Sequence, residues 1–175
     1  ANERAEITPG LTELPLSPHV GYYVDADGTA DASAMFQAAA TGRFRPLPKG
    51  DSFGFKDGAY WFHTRLFNSG NPEERWLLVL QYSLLDNVDV YMRYPDGRVD
   101  HLASGDKLPF SSRSIRYRQP NFWVELPQRT EVELLVRAQS ESSMQAPLVI
   151  YTFGAFAEIE RDAQLGIGIY DGILL

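Results

Sequence analysis

The chain has 175 residues, of which 44% are apolar and 13% aromatic, so we expect one globular domain with a substantial core. Its formal net charge of −7 disfavours a nucleic-acid partner, which needs a cationic surface, and also disfavours docking on an anionic membrane. The chain contains no cysteine, which excludes disulfides and thiolate zinc sites and fits a bacterial exported domain.

The N-terminal part predicts extended structure. Residues 1–19 contain three prolines, so we expect an extended lead-in with a short edge strand. Val20–Val24 follows as a strand, and Asp25–Gly28 has the composition of a turn.

One helix is predicted near the N-terminus. Asp31 or Ser33 can act as the N-cap of the alanine-rich segment Ala32–Ala40, because their side-chain oxygens accept hydrogen bonds from the first free amides. Thr41–Gly42 then ends the helix, since glycine tolerates the left-handed conformation at a helix C-terminus. No other segment predicts a helix.

The segment Ala59–Met92 predicts three consecutive strands. An aromatic first strand ends at the polar turn Asn68–Pro72, the apolar second strand runs over Trp76–Tyr82, and the third covers Val88–Met92. Strands rich in Val, Leu and aromatic residues between Asn, Gly and Pro clusters are typical of all-β proteins.

The second half continues the same pattern. A hairpin turn over Tyr94–Val99 leads to a strand that ends at Ala103, and further strands are predicted at Phe122–Leu126, Val132–Ala138 and Leu148–Phe153. Strands recur every 10 to 15 residues and only one short helix is expected. This pattern predicts an all-β fold, an antiparallel β-sandwich with one short helix near the N-terminus.

Aromatic and cationic residues near the central strands form the main candidate ligand site. Strict alternation puts Trp61, His63 and Arg65 on one face, which we expect to be at least partly exposed. Aromatic rings beside Arg and Asp suit a carbohydrate, because rings stack on sugar faces and forked donors hold hydroxyls. The alternative is that the Trp residues are core and the Arg residues solvated. The candidate residues are Trp61, His63, Arg65, Trp76, Asp86, Tyr91, Arg113 and Arg137, with stacking expected from Trp61, Tyr91 and an exposed edge of Trp76.

An acidic loop is a weak candidate for calcium. Asp25, Asp27 and Asp31 surround Gly28 in a pattern like the first half of a calcium loop, but the closing bidentate Glu is missing at the expected offset. A turn followed by a helix cap is the favoured interpretation. We therefore predict no metal and no cofactor, and keep a calcium sensor as a third hypothesis.

A local surplus of arginine offers an alternative ligand chemistry. The segment Tyr91–Arg118 could select an anionic ligand such as a uronic or sialic acid, or its cations could pair with the acidic surface elsewhere. His19, His63 and His101 stand in no recognisable catalytic or metal-ligand spacing, and no nucleophile-elbow or zincin motif is present. The sequence predicts a domain that is not an enzyme.

Several short motifs, weak individually but specific in order and spacing, together resemble one known family. They extend from about Leu14 to the end of the chain. They are Asp25–Gly28, Tyr60–Asn68, Trp76–Leu80, Leu85–Tyr91, Asp96–Gly97, Gly105, Pro109–Phe110, Arg113, Val136–Ser140, Pro147–Leu148 and Gly168–Leu175. The chain resembles the type-two extracellular sensor domain of bacterial seven-transmembrane receptors with diverse intracellular signalling modules.

The resemblance implies a periplasmic jelly-roll sandwich, similar to carbohydrate-binding modules, over residues 1–165. Residues 166–175 resemble the approach to a first transmembrane helix, which would tether the domain to the inner membrane. The ligand state would then be passed to an intracellular module such as a hybrid histidine kinase or a cyclase. In the family an Arg often stands two residues after the Trp, whereas this chain has His63, so an anion-binding role is not carried over to that position.

The expected partner is a carbohydrate or another small ligand. The alternative is a protein-interaction role, in which a face or an edge of the sandwich mediates homodimerisation or association with a related sensor kinase.

Overall fold

The computed structural model describes residues 4–46, 52–53, 58–80, 87–104, 121–139, 144–145, 148–159 and 161. The strands are β1 (Arg4–Ile7), β2 (Glu13–Pro15), β3 (Gly21–Asp25), β4 (Arg45–Pro46), β5 (Ser52–Phe53), β6 (Ala59–Asn68), β7 (Arg75–Leu80), β8 (Asn87–Arg93), β9 (Val99–Ser104), β10 (Asn121–Glu125), β11 (Glu131–Gln139), β12 (Met144–Gln145) and β13 (Leu148–Tyr151). The helical elements are a 3₁₀ turn (Ser17–His19), helix α1 (Ala32–Ala40) and helix α2 (residues 153–159).

Two mainly antiparallel sheets form a sandwich. The larger sheet has the order β4-β3-β6-β11-β8-β9, and the smaller has the order β10-β7-β13-β2. Strand β1 also joins the larger sheet by pairing parallel to the end of β6, with Arg4 opposite Arg65. The predicted all-β sandwich is confirmed, whereas the jelly-roll connectivity stays a prediction.

The main core lies between the sheets. Tyr60, Phe62 and Leu66 of β6 point into it, and Trp76 and Leu78 of β7 meet them from the smaller sheet. Each fully buried side chain of this kind stabilises the fold by roughly 1.5–3 kcal/mol. Alternation along β6 therefore sends its odd-numbered residues to the outer face of the larger sheet.

Helix α1 covers part of that outer face. Its Met35 and Phe36, together with Phe44, pack on Trp61 and Leu135 of the sheet. Asp31 caps the helix as predicted, because its Oδ1 accepts a hydrogen bond of 2.8 Å from the backbone N–H of Ala34. The helix thus fixes the position of the Asp31 loop against the sheet.

Helix α2 was not predicted from the sequence. The last strand was expected to reach Phe153, but β13 ends at Tyr151 and the chain turns into α2. Thr152 caps this helix, since its Oγ1 accepts from the N–H of Ala155 at 3.2 Å. Phe156 then packs on the outer face of the smaller sheet, so tertiary burial favours the helix over a longer strand.

The turn after β6 is held by a buried asparagine. Nδ2 of Asn68 donates to the carbonyls of Asn71 at 3.1 Å and Leu126 at 2.9 Å, and its Oδ1 accepts from the N–H of Asn71 at 2.6 Å. These bonds join the turn to the end of β10.

Within the described ranges, no helix has the length and apolar character needed to cross a bilayer, and residues 166–175 lie outside those ranges.

Candidate functional site

Strand register brings three predicted site residues together on the outer face of the larger sheet. Trp61 of β6 lies opposite Arg137 of β11, which lies opposite Asp89 of β8. In the next row, Tyr91 of β8 lies opposite His101 of β9. The prediction that Trp61, Tyr91 and Arg137 share one surface is consistent with this arrangement.

A cavity of about 520 Å³ opens between these strands and the N-terminus of helix α1. We call it the α1-side cavity. Its walls are Gly28, Ala30, Asp31, Ala32 and Ser33 from the loop and helix, and Trp61, Asp89, Tyr91 and Arg137 from the sheet.

Trp61 forms the buried wall of this cavity. The side chain is 0% exposed, so the expectation of a partly exposed face is wrong at Trp61 and at His63, whereas Arg65 on the same face is half-buried. Its Nε1–H has no hydrogen-bond partner among the described residues. A buried indole N–H normally has an acceptor, because leaving it unpaired costs free energy.

Arg137 connects the sheet to the loop before α1. Its Nη2 donates to the carbonyl of Gly28 at 3.2 Å, its Nη1 lies 3.8 Å from Oδ2 of Asp89, and its guanidinium lies 5.9 Å from the Trp61 ring. The positive charge of Arg137 is therefore already compensated by Asp89.

Tyr91 stacks on Trp61, with ring centroids 6.1 Å apart, and forms a second aromatic pair with His101, which lies outside the α1-side cavity and lines another one. The rings of Tyr91 and His101 are nearly parallel, with centroids 4.4 Å apart, and Nε2 of His101 lies 2.8 Å from Oδ1 of Asp89. Burial raises the pKa of the Tyr91 hydroxyl, and the charge of Asp89 raises it further, while Arg137 opposes the shift. The His101 side chain is 50% exposed, so the pair presents an aromatic surface to solvent.

Sequence reasoning missed Asp89 and His101. Alternation in β8 puts Asp89 on the face of Tyr91, and the hairpin turn after β8 sets His101 opposite Tyr91. Both placements follow from the hairpin register, which the sequence already indicated.

Trp76 does not belong to this site. It was expected to offer an exposed edge to a ligand, but its side chain is wholly buried between the sheets and its Nε1 donates to the carbonyl of Glu73 at 2.9 Å. The expected exposed edge is wrong, because β7 lies in the middle of the smaller sheet and Trp76 faces the core. Asp86 and Arg113, also predicted as ligand contacts, lie outside the described residues.

His63 and Arg65 occupy neighbouring positions outside the α1-side cavity. His63 is buried, and its Nε2 lies 2.9 Å from Oε2 of Glu133, while Arg65 is half-buried opposite Glu133. Oε1 of Glu133 accepts from Nε of Arg93 at 3.0 Å. Burial alone would raise the pKa of Glu133, but the hydrogen bonds from His63 and Arg93 outweigh it and lower the pKa to about 2.

The acidic loop forms a turn and a cap, as favoured from the sequence. Oδ2 of Asp25 accepts from the N–H of Ala30 at 2.8 Å, and Asp31 caps α1. Gly58 packs directly against this loop, since a Cβ there would lie 2.1 Å from the carbonyl oxygen of Asp25. In the part of the chain that the structure describes, no three His, Cys, Asp or Glu side chains converge in a way that could hold a metal ion.

A second cavity of about 650 Å³ lies where the edge strands β9 and β10 approach each other. Arg98 lies over the Tyr94 ring at 4.1 Å and forms ion pairs with Asp100 at 3.5 Å and Glu125 at 3.8 Å. The charges of Arg98, Asp100 and Glu125 around the second cavity therefore compensate one another. None of the residues predicted as ligand contacts lines this cavity.

Comparison with known proteins identifies the family. Residues 17–152 match the family model described as 7TMR-DISM extracellular 2. No curated protein sequence matches the chain. Among solved structures, the tryptic core of a Bacillus thuringiensis Cry1Da variant aligns with 12% identity and a TM-score of 0.37, over 85% of this chain and 24% of that one, a likeness too weak to carry an argument. The family model covers most of the chain, which therefore belongs to the 7TMR-DISM extracellular 2 family, the extracellular sensor domains of seven-transmembrane receptors.

Proposed function

We propose that this domain is the periplasmic ligand-sensing part of a membrane-bound receptor, and that a carbohydrate-like ligand binds in the α1-side cavity. The observation that carries the proposal is the α1-side cavity itself, in which the polar side chains of Asp89 and Arg137 lie beside the aromatic residues Tyr91 and Trp61. Few polar groups in a partly aromatic cavity are typical of small-ligand sites.

Each wall of the cavity has a proposed role. Asp89 accepts hydrogen bonds from hydroxyls of the ligand, and Arg137 donates to them, through the hydrogen-bonding positions that each side chain has left. Tyr91 is the aromatic contact that the cavity wall offers to the ligand, because the Trp61 ring is wholly buried. A sugar ring has the alternating apolar faces and polar rim that match this surface.

The signal is proposed to leave the domain through its C-terminal segment. Family membership supports a receptor role, and residues 166–175 are proposed to lead into a first transmembrane helix. The output is then a histidine kinase of the hybrid type or a cyclase. The domain itself is proposed to bind and not to catalyse, since the polar groups of the cavity form no nucleophile-and-base pair among the described residues.

Titration calorimetry with a panel of monosaccharides and oligosaccharides tests this function. Arg137→Ala removes both the cation and the contact with the Gly28 loop and should weaken the binding of a responding glycan about tenfold or more. Arg98→Ala at the second cavity is the matched control and should bind like the wild type. Equal affinity of the two folded variants, checked by thermal unfolding, would place the ligand elsewhere.

Association through a sheet edge is the second candidate function. Strand β9 lies at the end of the larger sheet, with no further partner strand among the described residues, and its Val99 is 45% exposed. Unpaired strand edges can pair with a second chain. Sedimentation at several concentrations tests this function, because a monomer at every concentration removes it.

A further inference from the structure

We propose that the domain has a second ligand site, which binds the phosphate or carboxylate group of a small anionic ligand. The site is a third cavity, of about 560 Å³, at the β4 edge of the larger sheet. We call it the β3–β4 cavity. Its walls are Tyr22, Tyr23 and Val24 of β3, with Gly42, Arg43 and Arg45 from the segment that follows α1. It shares no lining residue with the α1-side cavity, so the proposal does not depend on the proposed function.

The two arginines of this cavity lack a compensating charge. Neither Arg43 nor Arg45 has an ion pair or a side-chain hydrogen bond, and no carboxylate lines the cavity, within the part of the chain that the structure describes. Carboxylates line both of the other cavities, where Arg137, for example, is paired with Asp89. On a chain with a formal net charge of −7, two uncompensated guanidinium groups around one cavity form a local positive site.

The backbone fixes where the two arginine side chains begin. Phe44 between them is buried with Trp61 against the outer face of the larger sheet, whereas Arg43 and Arg45 on either side of it both line the cavity. Arg45 also lies opposite Tyr22 in the pairing of β3 with β4. Cations on a backbone that is already fixed lose less conformational freedom when they bind an anion.

The C-terminus of α1 does not occupy these arginines. Basic side chains after a helix often bond to its last carbonyls. Here the carbonyls of Gln37 and Ala38 accept from the Thr41 hydroxyl at 3.1 and 3.2 Å. The carbonyl of Ala38 also accepts from the backbone N–H of Arg43 at 3.0 Å. Both guanidinium groups therefore remain available to a ligand.

The chemistry of the walls suits a sugar-sized anion. A guanidinium group presents a planar fork of donors that matches two oxygens of a carboxylate or a phosphate. The half-buried Tyr22 and Tyr23 add aromatic surface for the uncharged part of the ligand, and Tyr23 is held by Phe44, with ring centroids 5.8 Å apart. Small-ligand sites usually enclose roughly 300–1,000 Å³. A sugar phosphate and a uronic acid both carry the required group.

Calorimetry at low salt with three sugars of similar size tests the proposal. The compounds are methyl glucoside, which is neutral, methyl glucuronide, which carries a carboxylate, and glucose 6-phosphate. We expect an anionic sugar to bind about tenfold or more tightly than the neutral one, and its affinity to fall as salt is added. Binding of only one of the two anions would identify which group the site takes.

Double substitutions assign the binding to the two arginines. Arg43→Gln/Arg45→Gln should weaken the binding of the anionic sugar about tenfold or more and leave methyl glucoside unchanged. Arg43→Lys/Arg45→Lys keeps the charge without the planar fork and should lose only part of the affinity. The matched control is Arg129→Gln/Arg161→Gln, which removes two exposed arginines outside the cavity and should bind like the wild type. Thermal unfolding checks that each variant is folded.

Three results would overturn the proposal. They are no saturable binding of either anion, the same anion affinity in Arg43→Gln/Arg45→Gln as in the wild type, and an equal loss in the Arg129→Gln/Arg161→Gln control, which would reflect net charge alone. None of them bears on the α1-side cavity, whose test is the effect of Arg137→Ala on the glycan panel.

Discussion

The half-buried carboxyl of Glu133 should make the stability of this domain depend on pH in the acid range. Its pKa is lowered from 4.5 to about 2 in the folded protein, since the hydrogen bonds from His63 and Arg93 outweigh the effect of burial. A group whose pKa is lower in the folded than in the unfolded state stabilises the fold at pH values above its unfolded pKa. It loses that contribution as the pH falls toward its folded pKa. The relevant window therefore runs from 4.5 down to about 2.

The size of the Glu133 contribution to the unfolding free energy follows from the same pKa shift. A difference of this size corresponds to about 3 kcal/mol of unfolding free energy at neutral pH, of which about 1 kcal/mol remains near pH 3. The Glu133 side chain is only 21% exposed, so solvent screens the interaction weakly. Glu133→Gln removes the charge and keeps the shape, and should destabilise the neutral-pH protein by roughly 2–3 kcal/mol.

Urea unfolding of wild type and Glu133→Gln at a series of pH values measures both effects. The difference between the two proteins should be largest at neutral pH and should shrink through the acid window. Glu131→Gln on the same strand is the matched control, because its pair with Arg4 at 3.4 Å is exposed and should contribute less than about 1 kcal/mol. Parallel pH curves for wild type and Glu133→Gln would refute the reasoning.

Three further substitutions test how the fold holds the site. Asn68→Ala should cost about 2–4 kcal/mol in chemical unfolding, because it leaves the buried carbonyl of Leu126 and the N–H of Asn71 without partners; a loss below about 1 kcal/mol would show that water replaces them. Gly58→Ala should lower the melting temperature by several degrees, or about 2 kcal/mol, since φ is +102° there and the new Cβ would meet the Asp25 carbonyl; an unchanged melting temperature would contradict this close approach. Trp76→Phe should destabilise the core by about 1–3 kcal/mol and leave the affinity for a responding glycan unchanged, whereas weaker binding with normal stability would return Trp76 to the site.

The elements that the sequence predicted well are those with strong local signals. The alanine-rich segment with Asp31 before it and Thr41–Gly42 after it forms helix α1 over Ala32–Ala40, and alternation placed the central strands within one or two residues. Helix α2 has only the Thr152 cap before it as a local signal. Its aromatic residues extend the apolar run of β13, and only packing of Phe156 on the outer sheet face selects a helix there.

The amino-acid sequence by itself determined the family, the all-β class and the residues that share a strand face, because period-two alternation and turn composition are local properties. Only the tertiary structure decided which of those faces is covered. Trp61 and Trp76 look alike as aromatic strand residues, yet Trp76 faces the core between the sheets, whereas Trp61 lies on the outer face in the wall of a cavity below α1. Asp89, Tyr91 and His101 meet within one hairpin, but Arg137 joins them only through the long-range pairing of β11 with β8, which no local pattern encodes.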